Sequence, residues 1–385
     1  MSFYEESSII ITPNAYKAGT LYAVVPTSGA ADMDVTRATA ATRVDENGLV
    51  NYAEVIGSEL VTGTNSNMSG ANSWVGGLGS LDFNINTTVS DRMWCNFTTG
   101  NQQVKLPTIL TVGKPYVVSL TAKLNSGTAT SIMIGGFTSN QSSPAVFNIT
   151  PTSTTTTYTG YITADNTDLS IGIILTNNNG SDYEFGDVSV KEVTRDNVPR
   201  IDYTGGGCPH ILAEPQRTNL VTNSASGKYG NAPASEILAI APDGTNEAIR
   251  PVPDSSSDRY QETIAGGTYS SGDEVTYSWY RKRFSTPVGF YTGDLYINVI
   301  VNATQVGVTT EIASSINGYD RFSATFSITD GSLSSIYRFY FGAIIGVGNS
   351  SIAYWGHQLE QGSYATSYIP TSGASVTRNK DVFTR

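Results

Sequence analysis

The chain is poor in charge, and above all in positive charge. Only 14% of its 385 residues are charged, and 22 Lys and Arg against 33 Asp and Glu leave a formal net charge of −11. Proteins that bind nucleic acids or anionic membranes present clustered Lys and Arg, and the sequence contains no such cluster. We therefore expect neither a nucleic-acid partner nor a membrane partner.

Cysteine, long apolar runs and an export signal are also lacking. The two cysteines, Cys95 and Cys208, lie far apart and show no CxxC spacing, which argues against a disulfide scaffold. No apolar run approaches the roughly 18 residues of a membrane span. Residues 1–6 are acidic and lack the basic start and apolar centre of a signal peptide. We expect a soluble protein that is made in a cytoplasm.

An internal repeat is the main positive feature. Residues 113–123 (GKPYVVSLTAK) align without a gap with residues 272–282 (GDEVTYSWYRK), at an offset of 159 residues. Upstream, residues 59–62 match 219–222 at an offset of 160, and downstream 185–190 match 355–360 at an offset of 170. The chain thus contains two homologous modules, and the second carries an insertion of about ten residues.

The pattern within both modules is that of β-strands. Tyr116, Val118 and Leu120 alternate with more polar residues, as do Val275, Tyr277 and Trp279. Turns rich in Gly, Asn and Asp separate such runs, and no window shows sustained helical periodicity. We predict an all-β chain of two tandem jelly-roll β-sandwich modules with an extended N-terminal arm.

The repeat also sets the expected domain layout. The boundaries are an N-terminal docking and oligomerisation arm at residues 1–57, module one at 58–193, an extended connector at 194–217, module two at 218–369, and an extended tail at 370–385.

Several phrases resemble those of a known family. VTRATAATRV (35–44), VPRIDYTGGGCPHILAEPQRTNLVTNS (198–224), APDGT (241–245) and YWGHQLEQGSYATSYIPTSGASVTR (354–378) occur in the order found in phage and prophage virion proteins that carry carbohydrate-binding-module-like jelly rolls. Module one is similar to the same kind of module, inserted between the first two phrases. The resemblance implies a virion location, as a tail fibre or as a head fibre or decoration protein.

Candidate ligand sites follow from that resemblance. Glycan-binding modules stack sugars on exposed aromatic rings beside amides and carboxylates, and Trp94 and Trp74 are our candidates. Such modules also hold a structural calcium ion, for which Asp187 and Glu59 are candidate ligands. The alternatives are that the tryptophans only pack, and that these acids are a solvent-facing Asp and a strand-entry Glu.

Catalysis has little support in the sequence. There are two histidines, His210 and His357, and no G-x-S-x-G nucleophile elbow precedes a helix. His357 aligns with Asp187 in the repeat, which favours a structural role.

We predict a non-enzymatic phage surface appendage, most simply a homotrimer, that docks to other virion proteins through the arm and binds host cell-surface glycans. Two alternatives stay open: a purely architectural head fibre or decoration protein, and a glycan depolymerase whose carboxylate pair is spatial.

Overall fold

The computed structural model divides the chain into two compact units. The inserted unit comprises residues 55–194, and the flanking unit comprises residues 1–54 together with 195–385. The structure describes residues 10–68, 73–77, 82–86, 92–97, 102–136, 145–173, 180–206, 208–225, 235–252, 259–264, 270–284, 296–300, 303–328, 335–340 and 352–385.

The flanking unit begins with five short strands. They are β1 (Ile10–Lys17), β2 (Thr20–Val25), β3 (Met33–Thr36), β4 (Thr42–Val44) and β5 (Val50–Tyr52). β4 and β5 form a hairpin because Asp45 at its turn accepts hydrogen bonds from the backbone N–H groups of Asn47 and Leu49, both at 2.9 Å. Such Asx interactions fold the backbone locally without help from a core.

The inserted unit is a sandwich of two antiparallel sheets. One has the strand order β13-β12-β15-β10-β7 and the other β14-β11-β16-β9-β8, with β6 added beside β16. The strands are β6 (Val55–Glu59), β7 (Val75–Gly76), β8 (Asp82–Asn86), β9 (Arg92–Phe97), β10 (Gln102–Leu106), β11 (Pro115–Ser126), β12 (Ile132–Gly135), β13 (Val146–Ile149), β14 (Thr156–Thr163), β15 (Leu169–Ile173) and β16 (Ser181–Thr194). One helical turn, Thr64–Asn67, follows β6.

Alternation along each strand builds the core of this sandwich. In β11, Tyr116, Val118 and Leu120 are at most 1% exposed, whereas Val117 and Ser119 between them are partly exposed. A strand directs successive side chains to opposite faces, so one apolar face packs inward and the other faces solvent. At ~25 cal/mol per Å² of apolar area, this burial is the main term that stabilises the sandwich.

The remaining strands belong to the flanking unit. They are β17 (Ile201–Asp202), β18 (His210–Ile211), β19 (Arg217–Asn219), β20 (Ser235–Ala239), β21 (Ala248–Val252), β22 (Arg259–Ile264), β23 (Glu274–Arg283), β24 (Tyr296–Ile300), β25 (Ala303–Ile316), β26 (Tyr319–Ile328), β27 (Ser335–Tyr340), β28 (Ile352–Gln361), β29 (Val376–Arg378) and β30 (Val382–Thr384). Module two has a six-stranded sheet, β20-β21-β28-β23-β26-β25, and a three-stranded sheet, β22-β27-β24. β30 joins the first three strands in the order β1-β2-β3-β30, and β29 pairs with β19.

The two modules repeat the same strand order, which confirms the repeat and the all-β fold class. β8-β9-β16-β11-β14 corresponds to β20-β21-β28-β23-β26, and β25 is the extra edge strand of the second copy. Leu120 and Trp279, predicted to occupy equivalent core positions, are 0% and 2% exposed.

The downstream part of the predicted alignment is wrong by one residue. Thr121 pairs with Gly186 in module one, and its equivalent Tyr280 pairs with Trp355 in module two, so the offset there is 169 and not 170. Each copy has a β-bulge at this point, with a positive φ of 50° at Asp187 and 67° at Gly356. His357 therefore corresponds to Val188, and Trp355 corresponds to Gly186 and not to Phe185.

In module two both faces of the six-stranded sheet are covered. On the outer face, Tyr280 and Trp355 lie in one buried cluster with Val44 and Val50 of the β4–β5 hairpin and with Tyr368. The rings of Trp355 and Tyr368 are 4.5 Å apart between centroids. The N-terminal segment up to residue 54 thus contributes to the core of the flanking unit.

Candidate functional site

Trp94 lies on the outer face of the inserted unit. Met93, Cys95 and Phe97 of β9 are all 0% exposed, and Trp94 between them is partly exposed. In register it stands opposite Glu184 of β16. Of the four tryptophans it is the one whose ring is not buried, since Trp74, Trp279 and Trp355 are at most 4% exposed.

Polar side chains flank the Trp94 ring on both sides. We call this surface, formed by Arg92, Trp94, Asn96 and Asp182 together with the buried Glu184 opposite the tryptophan, the Trp94 face. Asp182 accepts hydrogen bonds from the amide of Asn96 and, at 2.8 Å, from the hydroxyl of Ser126. These contacts hold the polar groups in place beside the ring.

A second polar group fixes the other end of the Trp94 face. Arg92 donates to Thr121 Oγ1 at 2.9 Å and to Asp187 Oδ2 at 3.3 Å, and the Thr121 hydroxyl donates to the same Asp187 oxygen at 2.9 Å. A partly exposed ring offers an apolar surface to sugar C–H groups, and neighbouring amides and carboxylates match sugar hydroxyls. The arrangement suits the stacking of a sugar.

Trp74, the other candidate platform, is buried and cannot stack a ligand. It is 4% exposed, packs in the same core as Val61 and Met68, and donates from Nε1 to the carbonyl of Asn65 at 3.0 Å. Trp74 was a candidate because a Gly- and Ser-rich stretch surrounds it in the sequence. The helical turn Thr64–Asn67 supplies the backbone acceptor that holds its indole in the core.

Glu59 and Asp187, the candidate calcium ligands, are each bound by other groups of the protein. Glu59 accepts hydrogen bonds from the N–H groups of Val61 and Val190, at 3.2 and 2.7 Å, and from the Ser189 hydroxyl. Burial raises the pKa of Glu59, but these donors outweigh it and leave the pKa below its usual value. Asp187 is bound to Arg92 and Thr121. Within the described ranges, no group of three or more His, Cys, Asp or Glu residues could hold a metal ion. A calcium ion that also uses backbone carbonyls stays a prediction.

The two histidines occupy different environments. His357 is 1% exposed and contacts the Tyr277 hydroxyl through Nδ1, and burial lowers its pKa to about 3. The ring is therefore neutral and closed to solvent at physiological pH. His210 is on the surface, with its side chain 54% exposed and Nε2 3.6 Å from Asp202.

A buried ion cluster in the flanking unit was missed by sequence reasoning. It joins Arg37, Arg200 and Arg378 to Glu214 and Asp381. Arg37 pairs with Asp381 at 2.8 Å, Arg200 with Glu214 at 2.7 Å and also with Asp381, and Arg378 with Glu214 at 2.8 Å. All three arginine side chains are at most 1% exposed. The only signal in the sequence was that each arginine stands in one of the VTR or PRIDY phrases.

The cluster keeps its carboxylates charged. Burial raises the pKa of Glu214, but Arg200 and Arg378 outweigh that effect and the pKa is lowered. For Asp381, burial is likewise outweighed by Arg200 and Arg37, and its pKa is also lowered. Because the five residues come from the N-terminal segment, the connector and the tail, the cluster ties these three segments together.

No described helix is both long and apolar enough to span a membrane.

No protein-family model matches the chain, and no curated protein matches it. Among solved structures, it is similar to a protein described as "CBM4 structure and function", with 14% identity over 35% of this chain and 94% of the other and a TM-score of 0.24. It is also similar to the N-terminal CBM22-1–CBM22-2 tandem domain of Paenibacillus barcinonensis Xyn10C, with 12% identity over 80% of this chain and 98% of the other and a TM-score of 0.27. Likeness at this level adds nothing to the architecture described above.

Proposed function

We propose that the chain is a non-catalytic surface appendage of a phage particle, of the tail-fibre or receptor-binding type, that binds host cell-surface glycans through the Trp94 face. The observation that carries the glycan proposal is the partly exposed Trp94 ring between hydrogen-bonded polar side chains. The virion location rests on the phrases that resemble those of phage and prophage virion proteins. Docking through residues 1–57 and assembly as a homotrimer belong to the same proposal.

Glycan binding is tested by replacing Trp94 with Ala in the full chain. Loss of a central aromatic anchor costs about 2 kcal/mol or more, or roughly thirtyfold in affinity. We expect that loss on a glycan array and in titration of the best glycan. The matched control is Tyr161→Ala, because Tyr161 is an aromatic residue 49% exposed on β14 of the same sheet. Equal losses in both variants, or none in W94A, would contradict the assignment.

The two alternative functions give different results. A glycan depolymerase releases reducing ends from the bound polysaccharide, whereas we expect the full chain to release none. A purely architectural head fibre or decoration protein binds no glycan and labels the capsid in electron micrographs of particles. We expect antibodies to label the tail instead, and light scattering of the purified chain to give the mass of a trimer.

A further inference from the structure

A cavity of about 260 Å³ lies in the flanking unit, on the outer face of module two. Three chain segments enclose it: the β4–β5 hairpin with Arg43, the connector from Asp202 to Glu214, and the stretch from Ala365 to Tyr368. Tyr280 and Arg321 form its floor on the sheet. His210, which is exposed, also lines it, so the cavity opens to solvent on that side.

Two guanidinium groups line this cavity without a close carboxylate partner. Arg321 is 7% exposed and donates from Nη2 to Thr366 O at 2.7 Å and to Ser278 Oγ at 3.1 Å, and it makes no ion pair within the described ranges. The nearest described carboxylate to Arg43 is that of Glu46, at 3.9 Å and 63% exposed. Nε and Nη1 of Arg43 have no hydrogen-bond partner among described residues.

The acidic groups that line the cavity are already engaged. Asp202 accepts from the N–H groups of Val44 and Thr204, at 2.9 and 2.8 Å. Glu214 is neutralised by two arginines of the buried ion cluster and accepts further hydrogen bonds from Ser367. Three guanidinium nitrogens of these two arginines, Nε and Nη1 of Arg43 and Nε of Arg321, have no acceptor among the described residues. Buried polar groups are as a rule hydrogen-bonded, which points to an acceptor from outside the chain, and an anion suits a guanidinium best.

We propose that this cavity binds a small carboxylate-bearing ligand of the size of one acidic sugar, such as a uronic acid. The guanidinium fork matches a carboxylate in two parallel hydrogen bonds. The volume is below the ~300 Å³ at which pockets for larger ligands begin, so it accommodates one ring and excludes a chain. The site is separate from the Trp94 face and does not depend on the function proposed for that face.

The test is a titration of the full chain with D-glucuronate, monitored by calorimetry or ligand-observed NMR. D-glucose is the neutral control, and inorganic phosphate and acetate are the small-anion controls. We expect binding of glucuronate, and at least tenfold weaker binding of glucose, phosphate and acetate. Equal binding of phosphate would overturn the assignment in favour of a general anion site, and no binding of glucuronate at millimolar concentration would overturn it outright.

Two variants locate the ligand. Arg43→Gln removes a charge whose ion pair with the exposed Glu46, at 3.9 Å, is weak, so we expect an unchanged melting temperature and a roughly tenfold or greater loss of glucuronate affinity. Glu46→Gln removes the competing carboxylate, and we expect unchanged or severalfold tighter binding. A merely structural role for Arg43 would lower the melting temperature in R43Q and leave glucuronate affinity unmoved in the folded fraction, and that outcome would refute the proposal.

Discussion

At the residue scale, the flanking unit depends on side chains that are charged and yet buried. Arg37, Arg200 and Arg378 are among its largest fully buried side chains. A buried charge is tolerated only when it is paired and hydrogen-bonded. Asp381 pairs with two of these charges, because it accepts hydrogen bonds from both Arg37 and Arg200. It also accepts one, at 3.0 Å, from the backbone N–H of Glu214.

We therefore expect Asp381→Asn to destabilise the chain strongly. Removal of one partner of a buried ion pair leaves the other charge uncompensated and costs about 3–5 kcal/mol. Urea unfolding measures the loss. The control is Glu192→Gln, which breaks the exposed Lys114–Glu192 pair and should change the free energy of unfolding by less than about 1 kcal/mol. Equal effects of the two variants would mean that the buried ion cluster contributes no more to the free energy of unfolding than an exposed ion pair does.

A single histidine gives a second prediction at this scale. Burial lowers the pKa of His357 to about 3, from an ordinary value of about 6.5. Between those values the unfolded chain binds a proton that the folded chain does not. The free energy of unfolding therefore decreases as the pH falls from about 6.5 towards 3. Each pH unit in that window costs up to ~1.4 kcal/mol.

The measurement is the free energy of unfolding between pH 7.5 and about 5.5, above the range in which carboxyl groups of the unfolded chain bind protons. His357→Gln should be less stable at pH 7.5, because it loses the contact with Tyr277, and should show a flatter pH dependence. The same slope in H357Q and in the wild type would assign the titration to another group.

At the element scale, the sequence predicted the strands and their inward faces well. Alternation along β9 puts Trp94 on the opposite face from Met93, Cys95 and Phe97, and the structure shows those three residues buried and Trp94 partly exposed. The composition around Trp74 did not constrain its exposure, because a Gly- and Ser-rich sequence is compatible with either an exposed or a buried ring. The one-residue error near Trp355 has a different cause. A β-bulge adds an unpaired residue, and a pattern of period two does not reveal it.

The bulge in module two also gives a stability prediction. Gly356 has φ of 67°, and a Cβ there would lie 2.7 Å from the Tyr280 ring. Gly356→Ala should therefore cost the strain of a positive φ plus overpacking of about 1–3 kcal/mol. Gly272→Ala is the control, because Gly272 also has a positive φ of 95° but nothing lies within 4 Å of its added Cβ. Chemical denaturation compares the two, and an equal cost would show that the ring moves aside freely.

At the scale of the whole molecule, the sequence revealed the repeat but not the sites that assemble from distant segments. Arg37 and Asp381 are 344 residues apart, and the cavity beside Tyr280 is enclosed by three separate stretches. Periodicity reports which face of a strand is apolar. It contains no information on which charged residues of different segments meet, so the buried ion cluster and the cavity could not be predicted.

The chain connectivity leads to the last prediction, that residues 55–194 can be removed without unfolding the rest. The first and last residues of the inserted unit, Val55 and Thr194, are paired in register, and antiparallel partners lie about 5 Å apart. Within the flanking unit, Glu54 and Arg195 form an ion pair at 3.0 Å. A link of two or three glycines can therefore join residue 54 to residue 195. The inserted unit has its own core and should fold alone.

We expect the shortened chain to be soluble, rich in β-structure and to unfold in one cooperative transition near that of the flanking unit in the full chain. Calorimetry and circular dichroism provide the measurement. In a matched deletion that also removes residues 195–217, Arg200 and Glu214 are lost, so Arg378 loses its carboxylate partner and Asp381 keeps only Arg37. We expect that chain not to fold. If the first deletion aggregates while the second folds, the flanking unit is not held together by its buried ion cluster.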